Sequence, residues 1–128
     1  MTEKMQSKSQ NHRHQNRIAA MQFLYMHSLN SPDDLAHMMK EFFESQLNPR
    51  EYYSFAEELV YETVQNLEEI DKCIDGYANN WKFERIAKVD LAILRLAVYE
   101  LLFREDIPPV VTINEAIDIG KEFSEDEA

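Results

Sequence analysis

One cysteine, two glycines and four prolines in 128 residues set the first limits. A lone thiol, Cys73, cannot close an intrachain disulfide, and it fits a reducing compartment. Its helical neighbours predict a partly buried side chain. Glycine only at 76 and 120 leaves no phosphate-cradling loop and too few tight turns for a β-rich fold. The longest apolar segment is interrupted by Arg95 and Glu100 and is too short to span a bilayer. Residues 1–17 are polar and carry no signal-peptide pattern, so the expectation is a cytoplasmic protein with no membrane association. HExxH, CxxC and GxSxG do not occur. His12-x-His14 has a metal-pair spacing but no nearby cysteine, and no metal site is expected. The carboxylates are scattered among basic neighbours, with no isolated pair for acid–base work. Neither an enzyme nor a cofactor is expected.

What the chain does have is apolar mass and an uneven charge. Hydrophobic residues make up 45%, enough for a real core. The formal net charge is −11, yet four of the 13 Lys+Arg and only one of the 24 Asp+Glu lie in residues 1–30. A basic arm on an acidic body is compatible with two partners of opposite charge, but charge alone favours the blander reading of a solvated acidic surface with an untidy tail.

Helical periodicity and cap signals divide the chain into about six helices. Residues 1–12 read as a flexible basic arm. The first helix runs from His12 or Arg13 to about Leu29, with Ile18, Met21, Leu24, Tyr25 and Ser28 on one face. Arg13, His14 and Arg17 would then oppose the dipole in its first turns, which hints at another use for those cations. Ser31-Pro32 predicts the start of a second helix, ending near Gln46, and Asn48-Pro49 that of a third, which reaches about Asn66. A break in phase near Asn66–Glu68 introduces a fourth at Glu68–Ala78. Gly76 there implies close packing or an early end. Trp81 and Phe83 read as a lid on the core. The fifth helix, Lys88–Arg104, is apolar on more than one side and should be covered nearly all round, as a central post. The sixth begins at Pro108 or Pro109 and ends near Phe123. The expected architecture is all-α: two small three-helix bundles, residues 13–67 and 68–123, packed together into one domain, followed by an acidic tail at 124–128.

Within this frame Trp81, Arg85, Val89-Asp90, Ile93-Leu94-Arg95, Ala97, Tyr99-Glu100-Leu101, Ile107-Pro108 and Ile113-Asn114-Glu115-Ala116-Ile117 stand in an order that resembles the bacterial transcription antitermination factor NusB family. Arg13–Tyr25, with Gln22, Leu24 and Tyr25, looks like that family's first helix. The resemblance implies two perpendicular three-helix bundles. It implies a non-enzymatic factor that binds single-stranded boxA RNA with the ribosomal protein NusE. Working with the transcription elongation complex, such a factor promotes read-through in ribosomal RNA operons. Single-stranded RNA needs cations for phosphates and planar groups for bases. The expected RNA-binding residues are Lys4, Lys8, Arg13, His14, Arg17 and Tyr77, with Tyr77 as a packing residue beside Gly76 the alternative. His14, Gln15 and Asn16 dilute the family's arginine run, which predicts weak RNA binding alone. Tyr25, Glu84 and Asp90 fall at partner-facing positions; their alternatives are core packing and dipole complementation. Arg95, Glu100 and Glu115, set among apolar residues, should form a structural network joining helices five and six.

The family pattern continues past the position of Phe123 with a further short helix carrying Phe-Val-Asn-Gly, whereas Ser124–Ala128 follows here. Part of the second bundle's apolar surface is therefore expected to lie open, with one RNA-stacking group fewer. The reading from a different class is a helical interaction module or homodimer with no RNA role.

Overall fold

The structure is a computed structural model that describes residues 3–30, 34–77 and 85–124, with side chains from Asn11 onward. Among the described residues it is all-α: two small three-helix bundles packed against each other. Helices α1 (Glu3–Leu29), α2 (Leu35–Glu44) and α3 (Ser54–Gln65) form the first bundle. Helices α4 (Leu67–Tyr77), α5 (Lys88–Phe103) and α6 (Pro109–Phe123) form the second.

α1 begins at Glu3, not near His12, and so absorbs most of the arm expected over residues 1–12. No glycine or proline lies between Glu3 and Leu29 to stop it, and Lys, Gln and Met propagate a helix well. Arg13, His14 and Arg17 therefore sit in its middle, where the dipole argument made for them does not apply. The buried face of α1 carries Asn16, Arg17, Ala20, Met21, Phe23 and Leu24.

Ser31 and Pro32 lie outside the described residues, and the cap of α2 is Asp34, whose carboxylate accepts from His37 N–H at 3.1 Å. Asn48 does not cap the third helix either. A short 3-10 turn, Arg50–Tyr53, comes first, and Asn48 donates instead to the Tyr53 hydroxyl at 3.4 Å. The Arg50 guanidinium grips Glu57 through two bonds of 2.8 and 2.9 Å and ties that turn to α3. The phase break falls at Asn66, which caps α3 before α4 restarts at Leu67. Gly76 is not a close-packing site, because a Cβ there would meet nothing within 4 Å. The expected lid residues Trp81 and Phe83 lie outside the described residues. Cys73 is half-buried, as its setting implied.

α5 is the post: it packs against α1, α3, α4 and α6. Its inner face buries Leu91, Ala92, Ile93, Leu96, Tyr99 and Glu100 within one continuous core that also takes Phe23, Phe43 and Leu59. It is not covered all round, however. Leu101, Leu102 and Phe103 are exposed at its C-terminal end, as are Val110, Ile113 and Ile117 on one face of α6. Pro109 opens α6 at a position where no helical donor is lost.

Candidate nucleic-acid interface

The basic centre of α1 divides by helical position. Arg17 stands at i relative to Ala20, Met21 and Leu24, at spacings of three, four and seven, and so points inward with them. Its guanidinium is 3% exposed and forms a two-pronged pair with Glu100 of α5, Nε to Oε2 at 2.9 Å and Nη2 to Oε1 at 3.0 Å. The Thr112 hydroxyl of α6 donates to the same Oε1 at 2.6 Å. Glu115 lies 3.9 Å from Arg17 Nη1 and is bonded to His14 Nδ1 at 2.8 Å.

These contacts correct two expectations. The network at Glu100 and Glu115 exists, but it joins α1, α5 and α6, and its cation is Arg17. Arg95 belongs elsewhere: it pairs with Asp71 of α4 at 2.8 and 2.9 Å. Arg17, expected at RNA phosphates, is committed to a buried carboxylate, and withdrawing it would strand a charge in the core. Nothing in sequence spacing links Thr112 to Glu100 or Asp71 to Arg95, since each pair joins two different helices. Arg17 shares its inward register with Arg13 four residues earlier, so register alone did not show which of the two is buried.

Among the described arginines of α1, the exposed one is Arg13. Its guanidinium carbon sits 4.1 Å from the centre of the Phe55 ring, and no ion-pair partner appears for it among the described residues. Beside it the His12 ring stacks on Tyr52 at 4.1 Å and 28°. The two histidines of the His12-x-His14 pair thus face different partners, Tyr52 and Glu115, rather than one ion. Lys4 and Lys8 lie one turn apart on α1, and their side chains are outside the description. Tyr77, at the end of α4, is 86% exposed, which sets aside the packing alternative.

Of the residues expected to face a partner, Tyr25 is 37% exposed and Asp90 is half-buried in the first turn of α5; Glu84 lies outside the described residues. At the other end of α5, Arg104 pairs with Asp106 and Glu58. The bond from Arg104 holds the Asp106 carboxyl down at about 2, and Arg104 itself is held more firmly protonated by that bond first. Burial, then the bond to Glu62, pushes the Tyr99 phenol up to about 12. On α1, burial and then the charge of Arg95 lower the pKa of His27 below its ordinary value.

Comparison with known proteins agrees with this arrangement. Transcription antitermination protein NusB of Oleidesulfovibrio alaskensis is 39% identical over 124 residues, covering 91% of this chain and 79% of that protein. The NusB of Geobacter sulfurreducens is 41% identical over 112 residues, covering 88% and 81%. Among solved structures, T. maritima NusB superposes with a TM-score of 0.77 at 34% identity, covering 89% of this chain and 80% of that one. A chain in the crystal structure of antitermination factors NusB and NusE in complex with dsRNA gives a TM-score of 0.75 at 27% identity, over 88% and 83%. The NusB family model matches residues 14–128, from the basic centre of α1 through α6, and with these similarities it shows that the chain belongs to the NusB family.

Proposed function

We propose that this chain is a transcription antitermination factor that binds boxA-type single-stranded RNA together with the ribosomal protein NusE and promotes read-through in ribosomal RNA operons. The observation that carries this is the likeness, over 88% of the chain, to a chain in a complex of NusB, NusE and RNA. That complex holds dsRNA; the single-stranded reading rests on the resemblance and on planar side chains left open for bases. The factor binds and does not catalyse, and it works in the cytoplasm within the transcription elongation complex. Arg13, Lys4, Lys8 and His14 supply the basic face, and Tyr77 offers a ring for stacking. Arg17 supports them from the core through Glu100. Tyr25, Asp90 and Glu84 meet NusE, a division that suits the acidic excess of residues 31–128.

The test is a titration of labelled boxA-type RNA into the factor and NusE over a range of salt. Lys8→Ala should weaken binding and flatten the salt slope by roughly 0.7, the share of one phosphate contact on a single strand. Tyr77→Ala should weaken binding by roughly ten-fold with the slope unchanged, as loss of one base stack does. Asp90→Lys should weaken the NusE contact and so lower the RNA affinity measured with NusE, while leaving the RNA affinity of the factor alone unchanged. If all three variants match the parent, this assignment of residues fails.

The exposed stripe of Val110, Ile113 and Ile117 supports a second reading, a homodimer joined through α6. Sedimentation equilibrium that shows a dimer, lost in Ile113→Lys, would favour it.

A further inference from the structure

Two adjacent residues of α1, His12 and Arg13, lie over two aromatic rings three residues apart, Tyr52 at the end of the 3-10 turn and Phe55 at the start of α3. We propose that these two stacked pairs form a ledge for the bases of single-stranded RNA, with the outer face of the Arg13 guanidinium as a stacking surface. This rests on the RNA-binding function argued above and adds a subsite to it.

The ledge is built, not incidental. Asn16 is fully buried and clamps its floor: its Nδ2 donates to Tyr52 O at 3.1 Å, and its Oδ1 accepts from Ala56 N–H at 2.9 Å. His12 Nε2 reaches the same Tyr52 carbonyl at 2.8 Å. The backbone carrying both rings is therefore fixed against α1, and the planes above it are set before any ligand arrives, which lowers the ordering cost of binding. Arg13 is exposed, so the side of its guanidinium away from Phe55 faces solvent. Guanidinium planes and aromatic rings are the surfaces on which unpaired bases stack.

The neighbouring charges decide between stacking and a phosphate clamp. Arg104 reaches the same ring at 5.9 Å but is taken by Asp106 and Glu58, and Arg17 at 5.3 Å is taken by Glu100. Among the described side chains, a phosphate at this spot would meet one cation without a carboxylate partner and two exposed carboxylates, Glu58 and Asp106. A base, which is neutral, meets the plane of Arg13 without that opposition. The ledge therefore reads bases, while phosphate contacts fall to the other cations of α1.

Arg13→Lys is the direct test, since it keeps the charge and removes the plane. With NusE present, its affinity for a boxA-type RNA should fall about ten-fold, with no change in salt slope, as expected for a lost base stack. A 2-aminopurine placed in turn along the RNA should be quenched by the parent at one or two positions and not by Arg13→Lys. Phe55→Leu should act in the same direction, with circular dichroism as the check on folding; if it fails to fold, surface-exposed Arg13→Lys carries the test alone. Parent-like affinity and quenching in Arg13→Lys would overturn the ledge and leave the RNA function intact. A parent protein that never binds the RNA, even with NusE, would overturn both.

Discussion

At the scale of single residues, the pair of Arg17 and Glu100 is the most consequential contact, because it places opposite charges where water does not reach. A buried pair of this kind is weak evidence for added stability, but breaking it is costly. Glu100→Ala should destabilise the fold by about 3–5 kcal/mol in urea unfolding, since the buried Arg17 loses its two-pronged partner and keeps only Glu115 at 3.9 Å. Arg17→Met combined with Glu100→Leu should recover most of that loss, because neither charge then remains to be desolvated. His27 sets a pH dependence of definite sign. Its folded pKa lies below the ordinary value of 6.5, so its contribution to stability is complete above that value and is lost as pH falls through the folded pKa. The parent should therefore lose more stability than His27→Gln between pH 7 and mildly acidic conditions, as read by thermal melts. Residue roles were the part least legible in sequence. The basic run of α1 was visible, but Arg13 and Arg17 lie one turn apart on the same face, so register alone does not say which is buried; the partner each meets, Glu100 of α5 for Arg17 and the Phe55 ring for Arg13, decides it.

At the scale of elements, sequence pattern located the helices well and their starts poorly. The phase break at Asn66, the proline at the head of α6 and the span of α5 all follow from local chemistry that tertiary context does not override. The caps at Ser31 and Asn48 were plausible by residue type, yet Asp34 and a 3-10 turn take those duties. Several residues near a helix start can each satisfy its free N–H groups, and packing chooses among them. The early start of α1 was missed because apolar periodicity cannot report a helical segment with no apolar stripe. Gly120 offers a clean test at this scale. It lies inside α6 without a positive φ, and a Cβ there meets nothing within 4 Å. Gly120→Ala should therefore raise stability by roughly 0.5–1 kcal/mol in denaturant titration, chiefly by narrowing the unfolded ensemble.

At the scale of the whole molecule, the chain is a two-bundle body with a basic helix running across it. α1 packs on α3 and on α5, and its ion pairs reach α6, so the helix that carries the basic face is anchored to both bundles. The acidic excess lies elsewhere in the chain, in residues 31–128. The fold class and the asymmetry of charge were readable without coordinates, because both are summed over many residues. The ledge at Tyr52 and Phe55 was not, since it depends on which side of α1 faces the head of α3.

The central claim is that RNA binding and partner binding reinforce each other. One measurement addresses it most directly: the affinity of the parent protein for a boxA-type RNA, by fluorescence anisotropy, with and without saturating NusE at one fixed salt concentration. The expected result is weak binding alone and markedly tighter binding with NusE, beyond what NusE achieves by itself. Equal affinity in the two arms would contradict it.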